Sequence, residues 1–193
     1  MVDDPDASTG SLRGQLIVAT PALGDPRFRR TVLLMLDHDG DGAVGVVLNR
    51  PTTVAVADVL PAWGDAVSAP SRVFAGGPVA TNAALGLSRG PAADADDPLG
   101  WQRLYGDIGL VDLDAPPELL TGRLSALRIF AGYAGWSPGQ LEEELADGAW
   151  YVLAPRDTDA FGSDPDDLWR DVLRRQSGEM AFVASFPDDP TMN

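Results

Sequence analysis

The pentapeptide Gly135-Trp136-Ser137-Pro138-Gly139 has the spacing of a nucleophile elbow, the G-x-S-x-G turn that presents a serine to an acyl carbon. The chemistry argues against it. An elbow takes one oxyanion donor from the backbone N–H of the residue after the serine, and Pro138 has no N–H. The base histidine of such hydrolases also follows the serine, whereas His38, the single histidine of this chain, precedes it. A helix start accounts for every residue instead, with Ser137 as the N-cap, Pro138 at the first helical position and Gln140 closing a capping box.

Asp37-His38-Asp39-Gly40-Asp41-Gly42 matches the first half of a calcium loop, with aspartate at its first, third and fifth positions and glycine at its sixth. The twelfth position, where a bidentate glutamate belongs, is Leu48, and the residues before it read as a strand. A solvated hairpin turn fits better, and no metal site is expected. His38 is the one side chain whose ordinary titration range lies near neutral pH, so it is a candidate base or anion contact. Its plainer role is a hydrogen bond to a neighbouring carbonyl. Arg27, Arg29 and Arg30 could fork onto phosphate, but Asp25 beside them and the surplus of acid favour carboxylate partners. In Gly132-Tyr133-Ala134-Gly135-Trp136, glycines between a strand and a helix start could admit a small anionic ligand, with Tyr133 and Trp136 as stacking surfaces.

The 193 residues carry 14 basic and 29 acidic side chains, a formal net charge of −15. Every basic residue is arginine, and there is no lysine and no cysteine. These absences exclude thiol nucleophiles, disulfides, Fe–S clusters and cysteine zinc sites. They equally exclude a Schiff base, a pyridoxal-phosphate anchor and a P-loop lysine. No cofactor is expected. The start, MVDDPDASTG, lacks the cationic and apolar regions of a secretory signal, and no apolar run reaches the roughly 18 residues of a membrane span. A cytoplasmic protein with no membrane partner is expected.

The candidate residues must be held by elements that the apolar pattern outlines. Residues 1–12 read as a disordered acidic arm, 13–186 as one domain and 187–193 as a flexible tail. Strands are expected over 14–19, 31–36, 43–48, 72–75, 80–87, 127–131 and 150–153, with one or two within 104–113. Short helices are expected over 54–60, capped by Thr52 or Thr53, from Glu118, and over 141–146. The clearest helix begins at Asp164, with Pro165 in its first turn, and buries Leu168, Trp169, Val172 and Leu173 before Gly178 stops it.

These segments, in this order, resemble the AlgH family (YqgE/AlgH) of bacterial proteins over Gly14 to Gln176. The resemblance rests on Gly14-Gln15-Leu16-Ile17-Val18-Ala19, Asp25-Pro26-Arg27-Phe28-Arg29-Arg30-Thr31-Val32, His38, Gly42-Ala43-Val44-Gly45, Leu48-Asn49-Arg50-Pro51, Gly76-Gly77-Pro78-Val79 and the run from Gly132 to Glu142, followed by Trp150. The family usually has glutamate before the histidine; here it is Asp37. Its lysine positions appear as arginine. The resemblance implies an α+β fold, a mixed, bifurcated and barrel-like sheet with helices packed outside, and no established enzyme activity. Some members are labelled transcriptional regulators of alginate production, without a DNA-binding motif.

The shared motifs converge on His38, Asn49, Gly76, Gly77, Tyr133, Trp136, Gln140 and Glu144. Our reading is an accessory or regulatory protein that binds a small molecule or a protein partner in one cleft. That cleft would be formed by the His38 loop, the Gly76-Gly77-Pro78 turn and the Gly132–Gln140 turn at one end of the sheet. The alternatives are an AlgH-type transcriptional regulator and a hydrolase using His38 with Asp37 or Glu144. Direct nucleic-acid binding is disfavoured, because phosphate contacts dominate such affinity and the chain is strongly acidic. A fluorescence titration with duplex DNA near physiological salt is expected to show no sub-micromolar, salt-sensitive binding.

Overall fold

Near-continuous apolar runs become neighbouring strands because each must be covered on both faces. A computed structural model describes residues 10–186. The tail at 187–193 and residues 1–9 of the expected arm lie outside the described residues. Ser11 and Leu12, at the end of that arm, hydrogen-bond the backbone and ring of His38.

The elements in chain order are β1 (Leu16–Ala19), β2 (Val32–Asp39), β3 (Gly42–Val47), β4 (Pro51–Ala55), α1 (Val56–Val59), β5 (Arg72–Ala75), β6 (Val79–Arg89), β7 (Trp101–Tyr105) and β8 (Ile108–Val111). They continue as β9 (Ala126–Trp136), α2 (Gln140–Ala146), β10 (Trp150–Leu153), α3 (Leu168–Arg174) and α4 (Glu179–Val183). The strands form one sheet in the order β10-β1-β2-β3-β9-β6-β8-β7, with β4 paired to β5. The fold is α+β, and the sheet curls into a half-barrel. The curl brings β7, the last strand of that order, back to the segment entering β1, where a β-carbon on Gly14 would lie 3.2 Å from the Tyr105 ring.

The sheet forks at β9. β6 runs antiparallel along one edge, from Arg89 opposite Ala126 to Val79 opposite Tyr133. On the other edge, β3 pairs antiparallel with Ala134–Trp136, and β5 pairs parallel at Phe130 and Ala131. The end of β5 wedges between β3 and β9, so that Val47 N–H donates to Gly76 C=O and Gly76 N–H to Ala131 C=O, both at 2.9 Å. No side chain fits there. A β-carbon would lie 2.3 Å from Gly132 O at Gly76, 2.1 Å from Tyr133 C at Gly77, and 2.6 Å from Val79 O at Gly132, whose φ is +71°.

The two faces of the sheet have separate cores. Leu16, Val18, Leu34, Leu36 and Phe130 pack on one, closed by Trp169, Val172 and Leu173 of α3. Ile17, Leu33, Met35, Ala134 and Trp136 pack on the other, under Leu141 of α2.

Several expectations need correction. Gly132–Trp136 is no turn: β9 runs through it, with Gly132 at positive φ admitting the crossing strands. Asp37, His38 and Asp39 belong to β2, and only residues 40–41 make the hairpin turn. Thr52 and Thr53 do not cap α1; they lie in β4, where the Thr52 hydroxyl donates to Val73 C=O at 2.7 Å. The helix expected from Asp164 begins at Leu168, because Pro165 is buried in a turn closed by Leu168 N–H at 3.2 Å. Beyond Gly178 the chain forms α4, which the sequence reading did not anticipate.

Gly77→Ala and Gly132→Ala are each expected to cost about 3 kcal/mol or more, since backbone atoms of another strand would have to move. Gly122→Ala, which meets nothing within 4 Å, serves as the neutral control. Urea midpoints of the three variants check this, and wild-type stability in either fork variant would refute the account.

Candidate functional site

The face beneath α2 gathers His38, Trp136, Gln140 and Glu144. In antiparallel pairs directly opposed residues share a face. His38 stands opposite Ala43, and Ala43 opposite Trp136, so the histidine points to the α2 side. Leu12 N–H donates to His38 Nδ1 at 3.0 Å, which leaves the ring proton on Nε2, donated to Glu142 Oε1 at 2.7 Å. Glu142 accepts its own backbone N–H as well as the imidazole, and together these hold its carboxyl below the usual range. Both ring nitrogens are engaged, and His38 is buried.

Glu144 organises the rest. Its Oε2 accepts the indole N–H of Trp136 at 2.9 Å and of Trp150 at 2.8 Å, while Oε1 accepts the Gln140 amide at 3.0 Å. The two indoles meet edge to face at 6.2 Å. Gln140 Oε1 accepts Ser137 N–H at 3.1 Å, the second half of a capping box. The first half is absent, because α2 is capped by Gly139 without a side-chain bond. Ser137 to Gln140 instead form a turn in which Gln140 N–H meets Ser137 C=O at 3.0 Å. Proline second and glycine third, with Gly139 at φ +78° and ψ −13°, are the residues a type II turn requires.

The remaining candidates lie elsewhere. Asn49 accepts Val32 N–H and donates to Arg30 C=O at the entry to β2. Gly76 and Gly77 line the fork, where close backbone approach explains them. Tyr133, three residues from Trp136 on β9, packs with the α3-side core. His38 and Tyr133 therefore occupy opposite faces of the sheet, so among the described residues they do not share the single cleft expected from the sequence.

The α3 side holds a cavity of about 120 Å³ that the sequence reading missed. Leu16, Leu34, Leu48, Ile108 and Ala160 give it an apolar lining, and Arg89, Asp107, Arg156 and Asp157 are also on its wall. Tyr105 lines it too, with its hydroxyl buried and without a hydrogen-bond partner among the described residues. Burial pushes the Tyr105 phenol well above its ordinary range, the Asp107 charge adds to this and Arg13 opposes it, so the hydroxyl stays protonated. Arg89 Nη1 sits 3.5 Å from both the Asp107 and Asp157 carboxylates. Asp159 is gripped by Arg175 through two bonds of 2.6 Å. Behind the wall, Arg128 is 1% exposed, donates to the carbonyls of Ala69, Ala160 and Gly162, and lies 4.3 Å over Phe74. Burial lowers its guanidinium to about 10, still cationic at neutral pH.

A family profile described as DUF179, AlgH-like, matches residues 16–181. A UPF0301 protein of Streptomyces avermitilis is 58% identical over 185 residues, covering 95% of this chain and 96% of its own. Another from Thermobifida fusca is 50% identical over 192 residues, with coverage of 95% and 96%. A crystal structure from Corynebacterium diphtheriae superposes with a TM-score of 0.84 at 31% identity, covering 93% of this chain and 94% of that one. The solution structure of the AlgH protein from Pseudomonas aeruginosa gives 0.68 at 24%, covering 95% and 98%, a likeness of fold.

Removing the Glu144 carboxylate orphans two indole donors, each worth about 1–3 kcal/mol when left unpaired. Glu144→Ala is therefore expected to lose about 2–4 kcal/mol and to shift tryptophan emission. Denaturant unfolding followed by fluorescence measures both, and a loss well under 1 kcal/mol would show that Glu144 is not the organising group.

Proposed function

The chain belongs to the AlgH-like family, and from that premise we propose that it is a cytoplasmic accessory or regulatory protein whose ligand is a small uncharged molecule held in the Tyr105 cavity. The observation that carries this reading is the buried Tyr105 hydroxyl without a partner, set beside an apolar lining. Pockets of this kind hold ligands by apolar contact and orient them by a few polar groups. A ligand oxygen accepting from Tyr105 would relieve the roughly 1–3 kcal/mol that an unpaired buried donor costs. The size matches a ligand of about one six-membered ring, since a cavity of some 150 Å³ takes up benzene.

The absence of charge follows from the charges already there. Asp159 is neutralised by Arg175, Arg89 sits 3.5 Å from both Asp107 and Asp157, and Arg156 on the same wall brings the remaining charges into balance. A charged ligand would add a charge without a partner, which is costly away from water. Hydrolysis by His38 has less support, because neither ring nitrogen is available and the residue lies on the other face. Regulation by direct DNA contact has less support because of the net charge of −15.

Saturation-transfer NMR with phenol and cyclohexanone as probes tests the reading, with benzoate and benzylamine as charged controls. The uncharged probes are expected to bind and the charged ones not. Tyr105→Phe is expected to weaken binding about tenfold. Equal binding to that variant, or a high-resolution structure with only ordered water in the cavity, would overturn it.

A further inference from the structure

We propose that Arg89 is the gate of the Tyr105 cavity, a side chain that bridges the two rims of its mouth and swings aside to let an uncharged ligand pass. The inference rests on that cavity being the ligand site and adds how the site is entered. Its inner wall is closed off: Leu16 and Leu48 are 0% exposed and Leu34 2%. Its outer wall is charged, with Arg89 and Asp107 on the sheet side and Arg156 and Asp157 on the segment that follows β10. A ligand bound for the apolar end passes between these groups.

Arg89 spans the gap. Its Nη1 lies 3.5 Å from the Asp107 carboxylate on one rim and 3.5 Å from the Asp157 carboxylate on the other. Its Nη2 donates to Asp157 C=O at 3.0 Å. Other bonds fix the rims themselves. On the sheet side, Gly90 N–H donates to Asp107 C=O at 2.8 Å. On the opposite side residues 156–159 close on themselves: Asp159 N–H donates to Arg156 C=O at 3.0 Å, and Arg156 N–H to Asp159 Oδ2 at 2.6 Å. Arg175 grips the same Asp159 carboxylate through two bonds of 2.6 Å.

The moving part is therefore the Arg89 side chain and not the backbone. The Asp157 side chain is 90% exposed and that of Asp107 40%. Ion pairs so open to water are weak and are screened by salt. The pair of Asp159 with Arg175 is buried and stays shut. Turning Arg89 away gives up the bridge and one carbonyl bond and moves no strand. A guanidinium suits the part because its nitrogens diverge in one plane and reach two carboxylates at once.

Xenon enters apolar cavities without needing a hydrogen bond, so xenon NMR of the full chain reads the gate independently of the ligand's chemistry. Line shapes of phenol read gate and ligand together. In Arg89→Gln, entry and exit are expected to quicken together about fivefold, with affinity changed by less than about twofold. Asp157→Asn, at an exposed position, is expected to quicken both about twofold. Raising sodium chloride from about 10 mM to about 1 M shrinks the screening length from roughly 30 Å to roughly 3 Å, and is expected to speed exchange in the wild type but not in Arg89→Gln. A role in packing alone would move affinity or stability and not the response to salt. Xenon exchange that follows this pattern while phenol fails to bind would support the gate and overturn the ligand reading. Xenon rates equal in the wild type and both variants, wild-type rates indifferent to salt, or no entry of xenon into any of the three, would overturn the gate.

Discussion

At the fork the main chains of β5, the turn into β6 and β9 occupy space that one methyl group would fill. Gly76, Gly77 and Gly132 are there because nothing larger can be, and β9 can continue past the crossing because Gly132 turns to positive φ. With β5 driven between β3 and β9, the sheet cannot stay flat and open. One branch carries β3, β2, β1 and β10, the other β6, β8 and β7, and the curl returns Tyr105 to the entry of β1. The Tyr105 cavity therefore depends on a backbone contact among three glycines.

The fork also decides which side chains can meet. β9 presents Ala134 and Trp136 to α2 and Tyr133 to the opposite face, and the register with β3 carries His38 to the α2 side. There the polar groups answer one another: Glu144 satisfies two indoles and an amide, and His38 joins Leu12 to Glu142. A network so completed rigidifies a core and leaves little for a ligand to gain. The opposite face ends in a phenol with no acceptor, and a ligand gains most where a buried donor lacks one. Function is better sought in incompleteness than in the densest cluster of polar side chains.

Much of this was legible in the chain. Apolar runs located the strands, and Leu168, Trp169, Val172 and Leu173 marked the buried face of α3. The family motifs also pointed to residues that cluster under α2. What failed has physical causes. Gly132 and Gly135 read as a turn because glycine signals conformational freedom without saying whether a turn or a crossing strand uses it. Asp164 and Pro165 have the composition of a helix start, yet burial of Pro165 used them for a preceding turn. Ser137-Pro138-Gly139-Gln140 satisfied both a capping box and a type II turn, and Gly139 at positive φ decided for the turn. Tyr105 carried no local signal. Its importance arises only when the curl closes, a contact between distant parts of the chain that no periodicity encodes.

The absence of lysine then acquires a structural sense. Arg103 donates to the carbonyls of Pro91, Ala92, Ala95 and Gly106 and to the Asp97 carboxylate; Arg128 holds three carbonyls around Ala69 and Gly162; Arg89 and Arg175 hold Asp157 and Ala154. Each binds an irregular segment, 90–100 or 154–162, to the sheet or to α3. A lysine ammonium, a compact and strongly hydrated point charge, could not span several carbonyls in fixed directions, whereas a guanidinium fork can. Many of the cations thus bond backbone carbonyls, and so do not cancel the aspartates one for one. That places rigidity in the loops that close the cavity and leaves the surplus of acid on the surface.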